Sequence, residues 1–142
     1  MKPSIGKAIL GGFIGTVLLT LMMYYVAPMM LGHPMDIAGM LGSKMAGSWM
    51  MGMLMHFVDG TIVFALIYVY LLYKILPGAP WLKGLGWGVI LWLILELVMM
   101  PMMGSGVFSS NAGGMKAVMV ALIGHLVYGV TLGGIAGAPA QR

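Results

Sequence analysis

Apolar side chains follow one another along this chain in four long runs, and polar residues are confined to the stretches between them. The runs extend from about Ala8 to Met30, Met50 to Leu72, Gly84 to Met103 and Ala117 to Ala138. A helix needs roughly 20 predominantly apolar residues to cross a bilayer, so each run is long enough to span one. The breaks are "LGHPMDIAGMLGSKMAGSW", "KILPGAPWLKG" and "GSGVFSSNAGG". In the second, Pro77, Gly78 and Pro80 end one helix and start the next, which predicts a tight turn. The first is long enough to hold a short helix along the membrane surface.

Composition sharpens this picture. The chain of 142 residues is 61% hydrophobic and 7% charged, against about 25% charge in soluble domains. A lipid surround is therefore expected, and with it an all-α integral membrane protein in one four-helix domain. The first run exceeds the 7–15 residues of a signal-peptide core and is read as a retained span. There is no cysteine, hence no thiolate metal site. The net charge of +4 forms no basic cluster with interleaved aromatics, so no nucleic-acid partner is expected. Lys2, Lys7, Lys74, Lys83 and Arg142 fall on one side, and Lys44 and Lys116 on the other. The positive-inside rule then puts both termini in the cytoplasm, with Trp81 as an interface anchor.

The second half of the chain echoes the first. Lys7 and Lys83 open spans, Gly12 matches Gly88, and Thr20 matches Glu96. "APMMLG" matches "MPMMGSG", and His56-Phe-Val-Asp-Gly matches His125-Leu-Val-Tyr-Gly. The pattern predicts two parallel hairpin repeats, about 1–76 and about 77–142, related by an axis along the membrane normal. Small residues at fourfold spacing mark contact faces: Gly11 and Gly15; Gly52, His56 and Gly60; Gly84 and Gly88; His125, Gly129 and Gly133. Residues four apart share a helix face, and small side chains let helices approach closely in lipid.

Candidate chemistry sits on these faces. At a ~1.5 Å rise per residue, His56 and His125 both lie roughly 25–27 Å from the basic end, nearly level, with Asp59 and Glu96 in the same band. The two histidines can act as axial ligands of one haem b, with Gly60 and Gly129 leaving room for the porphyrin. They can instead hold copper or another transition metal, or simply hydrogen-bond a neighbouring helix, with no cofactor bound. Asp59 and Glu96 are candidate metal or proton groups, because an ionised carboxylate in a membrane is costly unless paired or wet. The 18 methionines, many in doublets near the loops, suit soft Cu(I) and equally suit flexible packing. No phosphate loop, H-E-x-x-H or nucleophile elbow is present, so a subunit is expected rather than an enzyme.

"GGFIGT", "HFVDGT", "LPG" before "WLKG", "MPMMGSGVF" and "HLVYG" give the chain a resemblance, over nearly its whole length, to a family of small bacterial four-span membrane proteins of unknown function. The resemblance implies the four-helix architecture and a multi-pass location in the bacterial inner membrane. It brings no activity with it. The residues favour a cofactor-holding accessory subunit of a membrane redox assembly, or a homo-oligomer. The alternative is a small metal-ion or proton transporter that uses Asp59, Glu96 and the histidines.

Overall fold

The computed structural model describes residues 3–45 and 47–137; Lys2, Ala138 and Arg142 of the sequence reading lie outside them. The described residues include four long helices: α1 (Ile5–Leu31), α3 (Trp49–Ile75), α4 (Pro80–Met102) and α5 (Gly114–Ala136). A short helix, α2 (Ile37–Lys44), fills the first loop. No strand occurs among the described residues. All four long helices are long and apolar enough to span a membrane. Their outward faces carry apolar side chains such as Leu10, Phe13, Leu54, Leu71 and Val98. A surface of that kind is stable against lipid tails and not against water.

The helix ends follow local chemistry. The side chains of Ser4, Asp36 and Ser48 cap α1, α2 and α3 by accepting from the amides of Lys7, Gly39 and Met51, taking up N–H groups that would otherwise be orphaned. Pro80 opens α4 in its first turn, where a missing N–H costs nothing. Gly32 ends α1 with φ +79, a left-handed cap that suits glycine. At the tight turn, Lys83 Nζ donates to the Tyr73 carbonyl at 2.6 Å and Tyr68 donates to the Pro80 carbonyl at 3.0 Å.

Glycines decide which helices touch. A methyl on Gly84 or Gly129 would strike the carbonyl oxygen of the other, and one on Gly88 would strike the carbonyl of His125. The α4–α5 seam is thus backbone on backbone. Gly11 and Gly15 face Leu132 and Tyr128 of α5, and Gly12 faces Gly60 and Thr61 of α3. In α3, Gly52 lies against Ala38 and Gly42 of α2. The packing order is therefore α3–α1–α5–α4, with α2 seated on α3. The remaining pair, α3 and α4, comes together mainly over residues 68–75, next to the turn. Towards the loop end that side of the bundle stays open.

Candidate functional site

The open side holds a cavity of about 370 Å³, within the size range of small-molecule and cofactor sites. Leu19 and Met23 of α1, Phe64 and Ile67 of α3, and Trp87 and Leu91 of α4 form much of its apolar wall. Ile37 and Leu41 of α2 roof it at the loop end. Among this apolar surface five polar side chains reach the lining: Thr16, His56, Asp59, His125 and Tyr128.

The helices that build the wall are not regular. Each of α1, α3 and α4 contains a π-helical turn that supplies lining residues: Met22–Val26 supplies Met23, Asp59–Val63 supplies Asp59 and Gly60, and Leu95–Met99 supplies Leu95 and Met99. Such bulges are uncommon and concentrate at functional sites. The sequence carries no periodic signal for them, so the expected regular faces are each shifted locally by a residue.

Hydrogen-bond partners assign a tautomer to each neutral histidine. Nδ1 of His125 lies 2.7 Å from the Ala121 carbonyl. A carbonyl only accepts, so Nδ1 carries the proton and Nε2 of the neutral ring is bare. Nε2 of His56 lies 2.9 Å from Thr20 Oγ1. The Thr20 hydroxyl spends its proton on the Thr16 carbonyl at 2.6 Å. His56 must therefore donate through Nε2, which leaves its Nδ1 bare. Neither bare nitrogen is a sealed orphan; both rings line the cavity.

The other lining groups divide by whether they are satisfied. Thr16 donates to the Gly12 carbonyl at 2.7 Å, and Tyr128 to the Gly60 carbonyl at 2.5 Å. Those two hydroxyl protons are used. Asp59 borders the cavity, and its carboxyl has no hydrogen bond or ion pair to another described residue.

Two residues expected at the site lie elsewhere. Gly129 does not line the cavity, because in α5 it is taken up by the seam with Gly84; Gly60 does line it. Glu96 is 0% exposed, yet it is held by a loop and not by a histidine or Thr20. Its Oε2 accepts from Ser109 Oγ at 2.8 Å, and its Oε1 has no partner. Ser109 and its neighbour Phe108 both adopt left-handed backbone, φ 49 and φ 50, a strained choice for such residues. Trp92 packs on Phe108, with ring centroids 6.0 Å apart. Ser109 carried no sequence signal, since only the fold brings residue 109 back to residue 96. No three His, Asp or Glu side chains among the described residues gather as a metal-binding group.

Outside the cavity, Asp36 ties the roof to the bundle. Beyond capping α2 it accepts from the Tyr24 hydroxyl, and from Trp49 Nε1 at 3.0 Å. Partial burial acts to raise the pKa of its carboxyl. The hydrogen bonds from Tyr24, the Gly39 amide and Trp49 outweigh that and hold it below the usual carboxylate value. His33, the third histidine, is exposed in the same loop.

Neither a curated protein nor a solved structure matches the chain. A family model does, over residues 3–142. The chain belongs to that family, DUF6789, a family of unknown function.

Proposed function

We propose that this protein is a small accessory subunit of a membrane redox assembly, and that it holds one redox cofactor in the cavity at His56 and His125. The observation that carries the reading is the convergence of two histidines from different helices on one apolar cavity, each with a bare ring nitrogen. Sites for small molecules have this form, mostly apolar with a few convergent polar groups. The carbonyl of Ala121 orients His125 as an outer partner orients a ligating imidazole.

Haem b between the two rings is the cofactor that the histidine pair suggests. His125 offers Nε2 directly. The bare nitrogen of His56 is Nδ1, which adjoins the ring's point of attachment and crowds a porphyrin. Ligation through Nε2 would exchange its bond to Thr20 for one to iron. The two-repeat architecture belongs to the same reading, and π-turns at Met22–Val26 and Leu95–Met99, late in the first helix of each half, support it. So does a bacterial inner-membrane orientation with cytoplasmic termini, for which the lysine distribution speaks.

The test is to purify the full chain from membranes in mild detergent, record its absorption spectrum, and identify extracted small molecules by mass spectrometry. A retained redox cofactor, lost in His56→Ala and His125→Ala and kept in His33→Ala, is the expected result. A Soret band with sharp reduced α and β bands identifies haem. A chain that retains no redox cofactor and takes up none on reconstitution overturns the reading.

A further inference from the structure

The cavity has a direction as well as a lining. Ile94 borders the cavity and is also 45% exposed on the outer surface of α4. The cavity therefore reaches the outer surface beside Ile94, on the α3–α4 side of the bundle, where lipid tails lie. An occupant arriving by that route is dissolved in the bilayer.

The two histidines offer groups of one kind. His56 Nδ1 and His125 Nε2 are bare acceptors. Asp59 keeps a free acceptor oxygen whatever its charge, and adds an O–H donor when protonated. The hydroxyls of Thr16 and Tyr128 have committed their protons to backbone carbonyls. The indole N–H of Trp87 has no partner, but it is sealed from the cavity. The two bare ring nitrogens thus ask for donors. Their setting is aromatic: Phe64 and Trp87 meet edge to face, with centroids 6.1 Å apart, and Tyr128 completes that wall.

We propose that the cavity is a docking site for a membrane-resident 1,4-hydroquinone, which enters between α3 and α4 and donates its two hydroxyls to the bare ring nitrogens of His56 and His125. The inference rests on the reading of the cavity as a redox-cofactor site and sets a hydroquinone in place of haem as its occupant. A hydroquinone ring fits the aromatic wall, its apolar tail leaves through the mouth at Ile94, and both histidines keep the bonds they have. The oxidised quinone carries only acceptors, so it would set lone pair against lone pair. Each buried hydrogen bond left unmade costs about tenfold in binding.

The test uses the full chain in nanodiscs and a decyl-tailed 1,4-hydroquinone under anaerobic conditions, with binding followed by calorimetry. The reduced form should bind at least about tenfold more tightly than its quinone, a shift of ~30 mV in a two-electron couple. His125→Leu should weaken the hydroquinone by about tenfold or more. Asp59→Asn leaves both ring nitrogens in place and should keep the preference for the reduced form. Ile94→Trp leaves the polar groups alone and should slow association by about tenfold, so the idea is testable even where a cavity variant misfolds. Equal binding of the two forms, or stronger displacement by a primary alkylamine, overturns the proposal. A chain with a Soret band and no hydroquinone binding overturns it and leaves the cofactor reading standing. A chain that takes neither haem nor hydroquinone overturns both.

Discussion

The two flanks of α4 are built on opposite principles. Towards α5 it presents Gly84 and Gly88, and the helices meet with backbone against backbone. Towards α3 it presents Trp87, Leu91 and Ile94, and the facing helix stays away over most of its length. Lipid tails are as apolar as leucine, so burying large side chains between helices gains little there; close backbone approach and hydrogen bonds hold the bundle instead. Glycine positions therefore write the closed seams. Large residues facing one another do not close a gap by themselves, and here they line a cavity.

The comparison breaks most readily at the seam. Gly84→Leu must push four extra side-chain carbons into the Gly129 backbone, with no flexible neighbour to give way. Overpacking of tight sites costs about 1–3 kcal/mol and sometimes more, and rigid backbone on both sides puts this one at the upper end. Ile94→Ala, on the opposite flank, removes a half-exposed side chain and should cost well under ~1 kcal/mol. Thermal unfolding in a single detergent compares them directly. Similar midpoints for the two variants would mean that the glycine seam does not hold the bundle.

Tyr128 joins the closed part to the open part. Its ring packs on Gly15 of α1, and its hydroxyl donates to the Gly60 carbonyl inside the π-turn of α3. Tyr128→Phe keeps the packing and leaves a buried carbonyl without its donor, a loss of about 1–3 kcal/mol. If the π-turn is what aims Asp59 into the cavity, the variant should also weaken whatever the cavity binds. Wild-type stability in Tyr128→Phe would mean that the π-turn holds without that bond.

These two parts were not equally legible in the sequence. The four spans and the fourfold glycine stripes follow from composition and the helical period, because lipid imposes both on any spanning helix. The spans run to Ile5–Leu31, Trp49–Ile75, Pro80–Met102 and Gly114–Ala136, within a few residues of the apolar runs. That His56 and His125 would share a cavity was suggested by their common depth. Which way each glycine faces was not: Gly60 and Gly129 each follow a histidine by four residues, yet π-turns interrupt α3 and α5 stays regular through its length. The pairing of Glu96 with Ser109 was invisible for another reason. It depends on a loop in left-handed backbone at two residues that do not favour it.

The roof over the cavity gives a smaller effect with a defined pH dependence. Asp36 caps α2 and accepts from Tyr24 and Trp49, so one carboxylate ties α2 to α1 and α3. Asp36→Ala should cost about 1–2 kcal/mol, the upper range for an N-cap. The folded pKa lies below the unfolded value. The contribution is then fully present above about pH 4 and is lost as pH falls through the folded pKa. Melting wild type and Asp36→Asn from pH 3 to pH 6 should show a gap that closes at the acid end. A gap that stays constant would mean that the charge of Asp36 contributes nothing.

The smallest effect sharpens the comparison most, because it asks whether the polar groups on the open side exist to hold helices together. The bond from His56 Nε2 to Thr20 Oγ1 is the side-chain link between α3 and α1 at the cavity wall. Polar contacts between membrane helices average only ~0.6 kcal/mol in double-mutant cycles. A cycle of Thr20→Val, His56→Ala and the double variant should therefore give a coupling of about that size, far below the cost of Gly84→Leu. His56→Ala should nonetheless weaken cofactor binding by about tenfold or more, while Thr20→Val, which frees the His56 ring, should alter it by less. A histidine kept as a helix fastener would behave the other way round. It would show a coupling near the ~1.7 kcal/mol maximum known for such bonds, and its removal would leave binding untouched.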